Sequence, residues 1–233
     1  MNIEPKIVYE DNHIIVVIKP HNIAVQADES QDPDMLTIIK EFIRVRDNKP
    51  GNVFLGLVHR LDRPTGGVMV FAKTSKAASR LSTQLKSKQL KKTYLCVVNG
   101  RPQQVKDRLI TYLKKDEKTN TVKIAPKLED GAKEAILEYE VIETKNKLSL
   151  ISVDLITGRS HQIRVQMSSQ LNCPICADFK YGDKEHLGNL CLWAYQLEFV
   201  HPTTKQSMKF KVMPEYSNSM FKTFETTITK IIN

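Results

Sequence analysis

The chain has 233 residues, 41% of them hydrophobic, with 35 Lys and Arg against 26 Asp and Glu, giving a net charge of +9. That length suits one domain with a large core, and the positive balance implies a polyanionic partner such as RNA, DNA or an anionic membrane surface. No apolar run approaches the ~18 residues of a membrane span, and the start, MNIEPKIVYEDN, lacks a basic region followed by an apolar segment, so a cytoplasmic protein without a secretion signal is expected.

Two β-rich runs, Ile7 to Glu10 and Ile14 to Ile18, flank Asp11-Asn12 and predict a hairpin ended by Lys19-Pro20. Asp32-Pro33 predicts a helix start, with Met35, Leu36, Ile38, Ile39, Phe42 and Ile43 as its apolar face and Arg44 and Arg46 toward its C-terminus, where cations suit the dipole. The apolar runs Val53 to Val58 and Val68 to Ala72 then bracket the stretch HRLDRPTGG, which reads as a charged loop between two buried strands. Pro64 fixes one φ, and Gly66 and Gly67 permit a sharp turn. Between Arg60 and Arg63, Asp62 is expected to be ionised, as nucleophilic or electrostatic chemistry requires. An ion-paired surface turn is the commoner use of such residues, and the pattern alone leaves both readings open.

Ala77, Ala78, Leu81 and Leu85 predict a second amphipathic helix. From Ala72 to Leu95 there are seven cations and no acid: Lys73, Lys76, Arg80, Lys86, Lys88, Lys91 and Lys92. Such a run is often a solvated face; directly after the candidate loop, a phosphate-contacting surface is at least as good a reading. Tyr94 to Val98, Leu109 to Leu113, Thr121 to Ala125, Ala135 to Ile142 and Leu148 to Leu155 predict strands of an antiparallel sheet. In LITGRSHQIRVQ, Ser160 is expected to cap a helix on which His161 and Arg164 share a face. An arginine so close to a core face needs an anionic partner, protein or phosphate. Cys173 and Cys176 form a CxxC, but Cys191 and His186 make no second pair, so small semi-buried thiols are favoured over a metal or redox site. Leu190 to Val200 and Met208 to Val212 predict two more strands, and a helix over about 217–232 closes the chain. With no repeat or linker, the pattern predicts an α+β fold: one domain over 1–233 with a mixed, largely antiparallel central sheet flanked by helices.

Four blocks, VYEDNHIIVVIKP, GLVHRLDRPTGGVMVFAK, KTYLCVVNG and TGRSHQIRVQM with LNCPICADFKYG after it, resemble the RluA-type pseudouridine synthases, from about Val8 to about Pro214. The resemblance implies the pseudouridine synthase fold and isomerisation of uridine to pseudouridine in ribosomal or transfer RNA, with no metal or nucleotide cofactor. By it, Asp62 matches the catalytic aspartate, Tyr94 the tyrosine packed on the target base, and Arg164 the arginine paired with the catalytic carboxylate. A uridine in folded RNA must be extruded to be reached. Arg60 matches an arginine associated with filling the vacated space, although a backbone phosphate contact is an equal reading. Arg63, the seven cations of the basic run and Arg159 complete the expected RNA-binding set, and His59 and His161 are expected to be structural.

The chain departs from the family pattern at Gly66-Gly67, commonly Ser-Gly; at Asn22, commonly glycine; at Asn172-Cys173, commonly Gly-His; and at Cys176-Ala177, commonly an apolar residue and glycine. It resembles the members that lack an N-terminal S4 domain, and a monomer is expected. The main alternative is an RNA-binding or RNA-folding module that keeps the scaffold without needing catalysis. A hydrolase using Asp62 is weaker, because no second acid sits in a motif to activate water.

Overall fold

The computed structural model describes residues 4–185 and 187–233; His186 lies outside the described residues. The chain divides into two compact units, one running up to Lys91 and including Gln196–Val212, the other comprising Lys92–Tyr195 and Met213–Asn233.

In the first unit, β1 (Lys6–Glu10) and β2 (Ile14–Lys19) form the expected hairpin. Asp11 builds its turn, with Oδ1 accepting from the N–H groups of His13 at 2.7 Å and Ile14 at 2.8 Å. β2 pairs antiparallel with β4 (Gly66–Ala72), from Ile14 opposite Ala72 to Lys19 opposite Gly67. Every residue of β4 is buried, as are Ile14 to Val17. Strands buried on both faces carry continuous apolar runs rather than alternation, which is why these two were visible in the sequence.

Helix α1 (Met35–Arg46) begins two residues later than Asp32-Pro33 suggests. Asp34 is the cap, its Oδ1 accepting from the Thr37 N–H at 3.1 Å, while Asp32 is drawn away to the Arg63 guanidinium. Helix α2 (Ser75–Lys86) is capped by Thr74. The strand expected over Val53 to Val58 shrinks to β3 (Gly56–Leu57), paired with Phe71 and Ala72 of β4. This segment is pressed against α2 instead: a Cβ on Gly56 would stand 2.9 Å from that of Ala78.

The end of β2 holds the next loop in place. Lys19 has no exposed surface, and its Nζ donates to the carbonyls of Pro20 at 2.9 Å, Ile23 at 2.6 Å and Arg63 at 2.9 Å. His21 Nδ1 lies 2.7 Å from the Pro64 carbonyl. Between them, Asn22 takes the left-handed conformation at φ 63°.

The second unit is an antiparallel sheet in the order β5 (Lys91–Asn99), β9 (Leu148–Leu155), β8 (Lys133–Lys145), β6 (Lys106–Asp116), β7 (Thr121–Ile124). Strand β10 (Leu192–Val200) starts in this unit and ends in the first, where Gln196–Val200 pair antiparallel with β11 (Ser207–Lys211). All four thiols are buried and free, and burial pushes each above its ordinary pKa, so Cys173 and Cys176 act as core filler. Their segment is extended against β5, with the Cys176 N–H donating to the Val97 carbonyl at 2.9 Å.

Helix α3 (Gln162–Val165) continues as a π-helical turn over Gln166–Gln170. Ser160 does not cap it. His161 occupies the cap position at φ 51°, and its side chain makes no capping bond to the helix. Gln162 closes the preceding loop in its place, Oε1 accepting from Thr157 Oγ1 at 2.8 Å and the Arg159 N–H at 3.1 Å while Nε2 donates to the Ile136 carbonyl at 3.0 Å. A 3₁₀ turn (Met220–Phe224) leads into α4 (Glu225–Ile232), which buries Ile228.

Two stability predictions follow from these contacts. Lys19→Met leaves three carbonyls without their donor and should lower the unfolding free energy by about 3 kcal/mol or more in urea titrations. Ala177 stands at φ 62°, the left-handed region where a Cβ costs about 1–2 kcal/mol. Ala177→Gly relieves that strain, offset in part by the looser unfolded chain, and should stabilise by roughly 0.5–1 kcal/mol.

Candidate functional site

The loop between β3 and β4 is anchored from beneath. Leu61 is buried, and His59 Nε2 accepts from the Val70 N–H at 3.2 Å, the structural role expected of this histidine. The Thr65 N–H donates to the Asp62 carbonyl at 2.9 Å, so Asp62 opens a tight turn through Arg63 and Pro64. The two carbonyls that follow Asp62 are those held by Lys19 and His21. The half-buried Asp62 side chain therefore projects from backbone fixed on both sides.

The expectation that Arg63 flanks this carboxylate needs correction. Arg63 turns away, its Nη2 bonded to Asp32 and, at 3.0 Å, to Ser30 Oγ. It is spent on tying residues 30–32 to the loop. Arg60 is exposed.

In the second unit, Tyr94 lies on β5 opposite Val153 and is 4% exposed. Arg164 is buried on α3, and Asp178 holds its guanidinium at two points: Nε to Oδ2 at 2.8 Å and Nη2 to Oδ1 at 2.6 Å. The guanidinium carbon also lies 5.0 Å from the centre of the Tyr181 ring, a cation–π contact. The Tyr181 hydroxyl is 2.6 Å from His161 Nδ1 and accepts from the Val122 N–H at 2.9 Å. So the CPICADFKYG segment supplies both the anion and the platform that set the direction of Arg164. A bidentate pair fixes a plane as well as a position, which a lysine in its place would not do.

The basic run separates into used and available charge. Lys73 is taken up by Glu10 at 2.6 Å and the Asp11 carbonyl at 2.6 Å, and Arg80 donates to the Pro202 carbonyl at 2.8 Å. Lys76, Lys86, Lys88 and Lys91 are exposed. Arg159 is exposed too, with its Nε on the Glu134 carbonyl at 2.8 Å. Lys92 is half-buried, its Nζ 3.3 Å from where a Cβ on Gly158 would stand, and burial lowers its pKa to about 8. Any larger residue at Gly158 would press on that ammonium.

Four residues that position this machinery were not singled out by sequence: Lys19, His21, Asp178 and Tyr181. Only Asp178 left a signal, since a core-facing arginine demands an acid. Among the described residues, no helix is long and apolar enough to cross a membrane.

The chain resembles known proteins over most of its length. It is 35% identical over 229 residues to the ribosomal large subunit pseudouridine synthase C of Buchnera aphidicola subsp. Baizongia pistaciae, covering 93% of this chain and 68% of that protein. To the protein of the same name from Haemophilus influenzae it is 32% identical over 216 residues, covering 89% of this chain and 65% of the relative. It thus spans about two thirds of the length of these relatives. The solved structure of human RNA pseudouridylate synthase domain containing 4 shares the fold, with a TM-score of 0.76 at 22% identity over 97% of this chain and 93% of that one. The model of the RNA pseudouridylate synthase family matches residues 13–169, a span that includes Asp62, Tyr94 and Arg164, and the chain belongs to that family.

Proposed function

We propose that this protein isomerises uridine to pseudouridine within RNA, with Asp62, Tyr94 and Arg164 as its catalytic residues. The observation that carries this reading is the clamped turn at Asp62. A carboxylate that must meet one atom of an everted nucleotide needs a backbone that does not drift, and Lys19 and His21 supply that from below. In the reaction the bond from N1 to the ribose C1′ breaks, C1′ joins C5, the C5 proton leaves and N1 takes one up. Asp62 either attacks the nucleoside or assists the cleavage, Tyr94 packs on the base, and Arg164 takes the part of the arginine that the family pairs with its catalytic carboxylate. Exposed Arg60, Lys76, Lys86, Lys88, Lys91 and Arg159, with half-buried Lys92, contact the RNA. Large-subunit ribosomal RNA is the first substrate to examine, given the names of the relatives above; the protein acts as a monomer without a cofactor, in the cytoplasm.

RNA labelled with tritium at uridine C5 should release tritium with the wild-type protein, and Asp62→Ala should abolish release while leaving RNA binding within a few-fold. Absence of release from total RNA of cells lacking the protein would defeat the assignment.

The lowered pKa of Lys92 gives a second test. A phosphate contact needs the ammonium, so RNA affinity should fall several-fold as pH rises through about 8, and Lys92→Arg should flatten that profile. Folding stability moves the other way. Between about 8 and the ordinary 10.5, the unfolded lysine keeps a proton that the folded one has lost, so this group makes the fold more stable as pH rises. Weaker binding in that window therefore cannot be ascribed to unfolding at this residue, and filter binding alongside urea midpoints separates the two.

A further inference from the structure

A cleft of about 290 Å³ opens in the first unit, away from the Asp62 loop. Its wall includes Lys73, just past the end of β4, whereas Asp62 lies just before that strand begins. Seven residues of strand separate the two ends, about 20 Å at the usual rise.

Three features of the cleft point to one kind of occupant. Phe54 lines it and is 51% exposed: Cε1 and Cζ lie 3.4 Å from where a Cβ on Gly56 would stand, so the ring lies against bare backbone and leaves half its surface open. Asn12 and Asn52 place amide side chains in the same wall, groups that can both donate to and accept from the edge of a base. Lys49, Lys73 and the Asp47 carboxylate also line it, within an ion-paired network of Arg46, Lys49 and Lys73 with Glu10 and Asp47. Three cations against two carboxylates leave that network one positive charge in excess. An open aromatic face, amides and a surplus cation are what a single-stranded nucleotide requires. An apolar protein segment would find a wall mostly polar, and a membrane surface would need a broad convex patch rather than a cleft.

We infer that this cleft is a second RNA subsite, taking one unpaired nucleotide of the substrate with its base stacked on Phe54, its edge on Asn12 and Asn52, and its phosphate toward Lys49. The inference rests on the reading that the protein acts on RNA. The subsite lies apart from the Asp62 loop and grips the RNA at a second point, so it serves affinity and choice of substrate rather than bond-making.

Kinetics on RNA from cells lacking the protein, together with binding of a labelled single-stranded oligoadenylate by fluorescence anisotropy, test it. Phe54→Ala should raise KM for RNA about tenfold with little change in kcat, and Phe54→Tyr should restore it, since stacking survives the added hydroxyl. Lys49→Ala should weaken oligoadenylate binding and lower the salt dependence by about one counterion. Side-chain amide resonances of Asn12 and Asn52 should shift when oligoadenylate is added. An unchanged KM in Phe54→Ala, or amide resonances that stay still at saturating oligoadenylate, would overturn the subsite while leaving the isomerase reading untouched. Oligoadenylate binding that depends on Phe54 in a protein releasing no tritium would support the subsite and sink the isomerase. Cross-linking of Phe54 in cells to a protein rather than RNA would count against both the stacking role and the occupant named here.

Discussion

One ammonium group beneath a loop sets the geometry on which the candidate chemistry relies. Lys19 is wholly buried, and its three protons go to three backbone carbonyls, two at the end of its own strand and one belonging to Arg63. Burying a charge is costly unless its bonding capacity is met, and here it is met by atoms that cannot move independently of the chain. The same contacts that satisfy the lysine thereby fix the loop. A flexible surface lysine would give neither effect, because its stem would snorkel and its head would stay hydrated.

The second unit solves a related problem with an ion pair in place of neutral carbonyls. Arg164 is nearly inaccessible, and Asp178 meets it in plane while Tyr181 supports it from the face. Removing Asp178 would take the bidentate partner from a buried guanidinium. Tyr181 is itself pinned through its hydroxyl by His161 and the Val122 N–H, so the direction of the arginine is inherited from β7 as well as from its own helix. Orientation built this way is prepared before any substrate arrives, the condition under which electrostatic groups contribute most to catalysis.

How far such arrangements can be seen in a sequence depends on whether the deciding contact is local. The β1–β2 hairpin was legible because Asp11 bonds to its own neighbours, and β4 because full burial writes itself as a continuous apolar run. The start of α1 was misplaced because Asp32 and Asp34 are equally good caps by type, and only the distant pull of Arg63 separates them. Ser160 lost its expected role for a similar reason, displaced by Gln162 bonds reaching to Ile136 and Thr157. The HRLD loop, Tyr94 and Arg164 were visible as motifs. The residues that aim them were not, because a lysine at the end of a strand or an aspartate in a Cys-rich loop looks ordinary until its partner is known.

The distribution of cations carries a further lesson about selectivity. Lys73, Arg80 and Arg63 read in sequence as phosphate contacts, yet each is engaged by a carboxylate or carbonyl that helps to hold an element in place. What remains exposed along the run, Lys76, Lys86, Lys88 and Lys91, is a series of single charges. Such charges attract any polyanion and distinguish poorly between sequences, because phosphates are the same everywhere. Discrimination among RNAs must then come from groups with shape and fixed direction. On the reading proposed above, those are the groups the fold immobilises, so selectivity and catalysis draw on the same rigidity, while capture of the RNA falls to the exposed lysines.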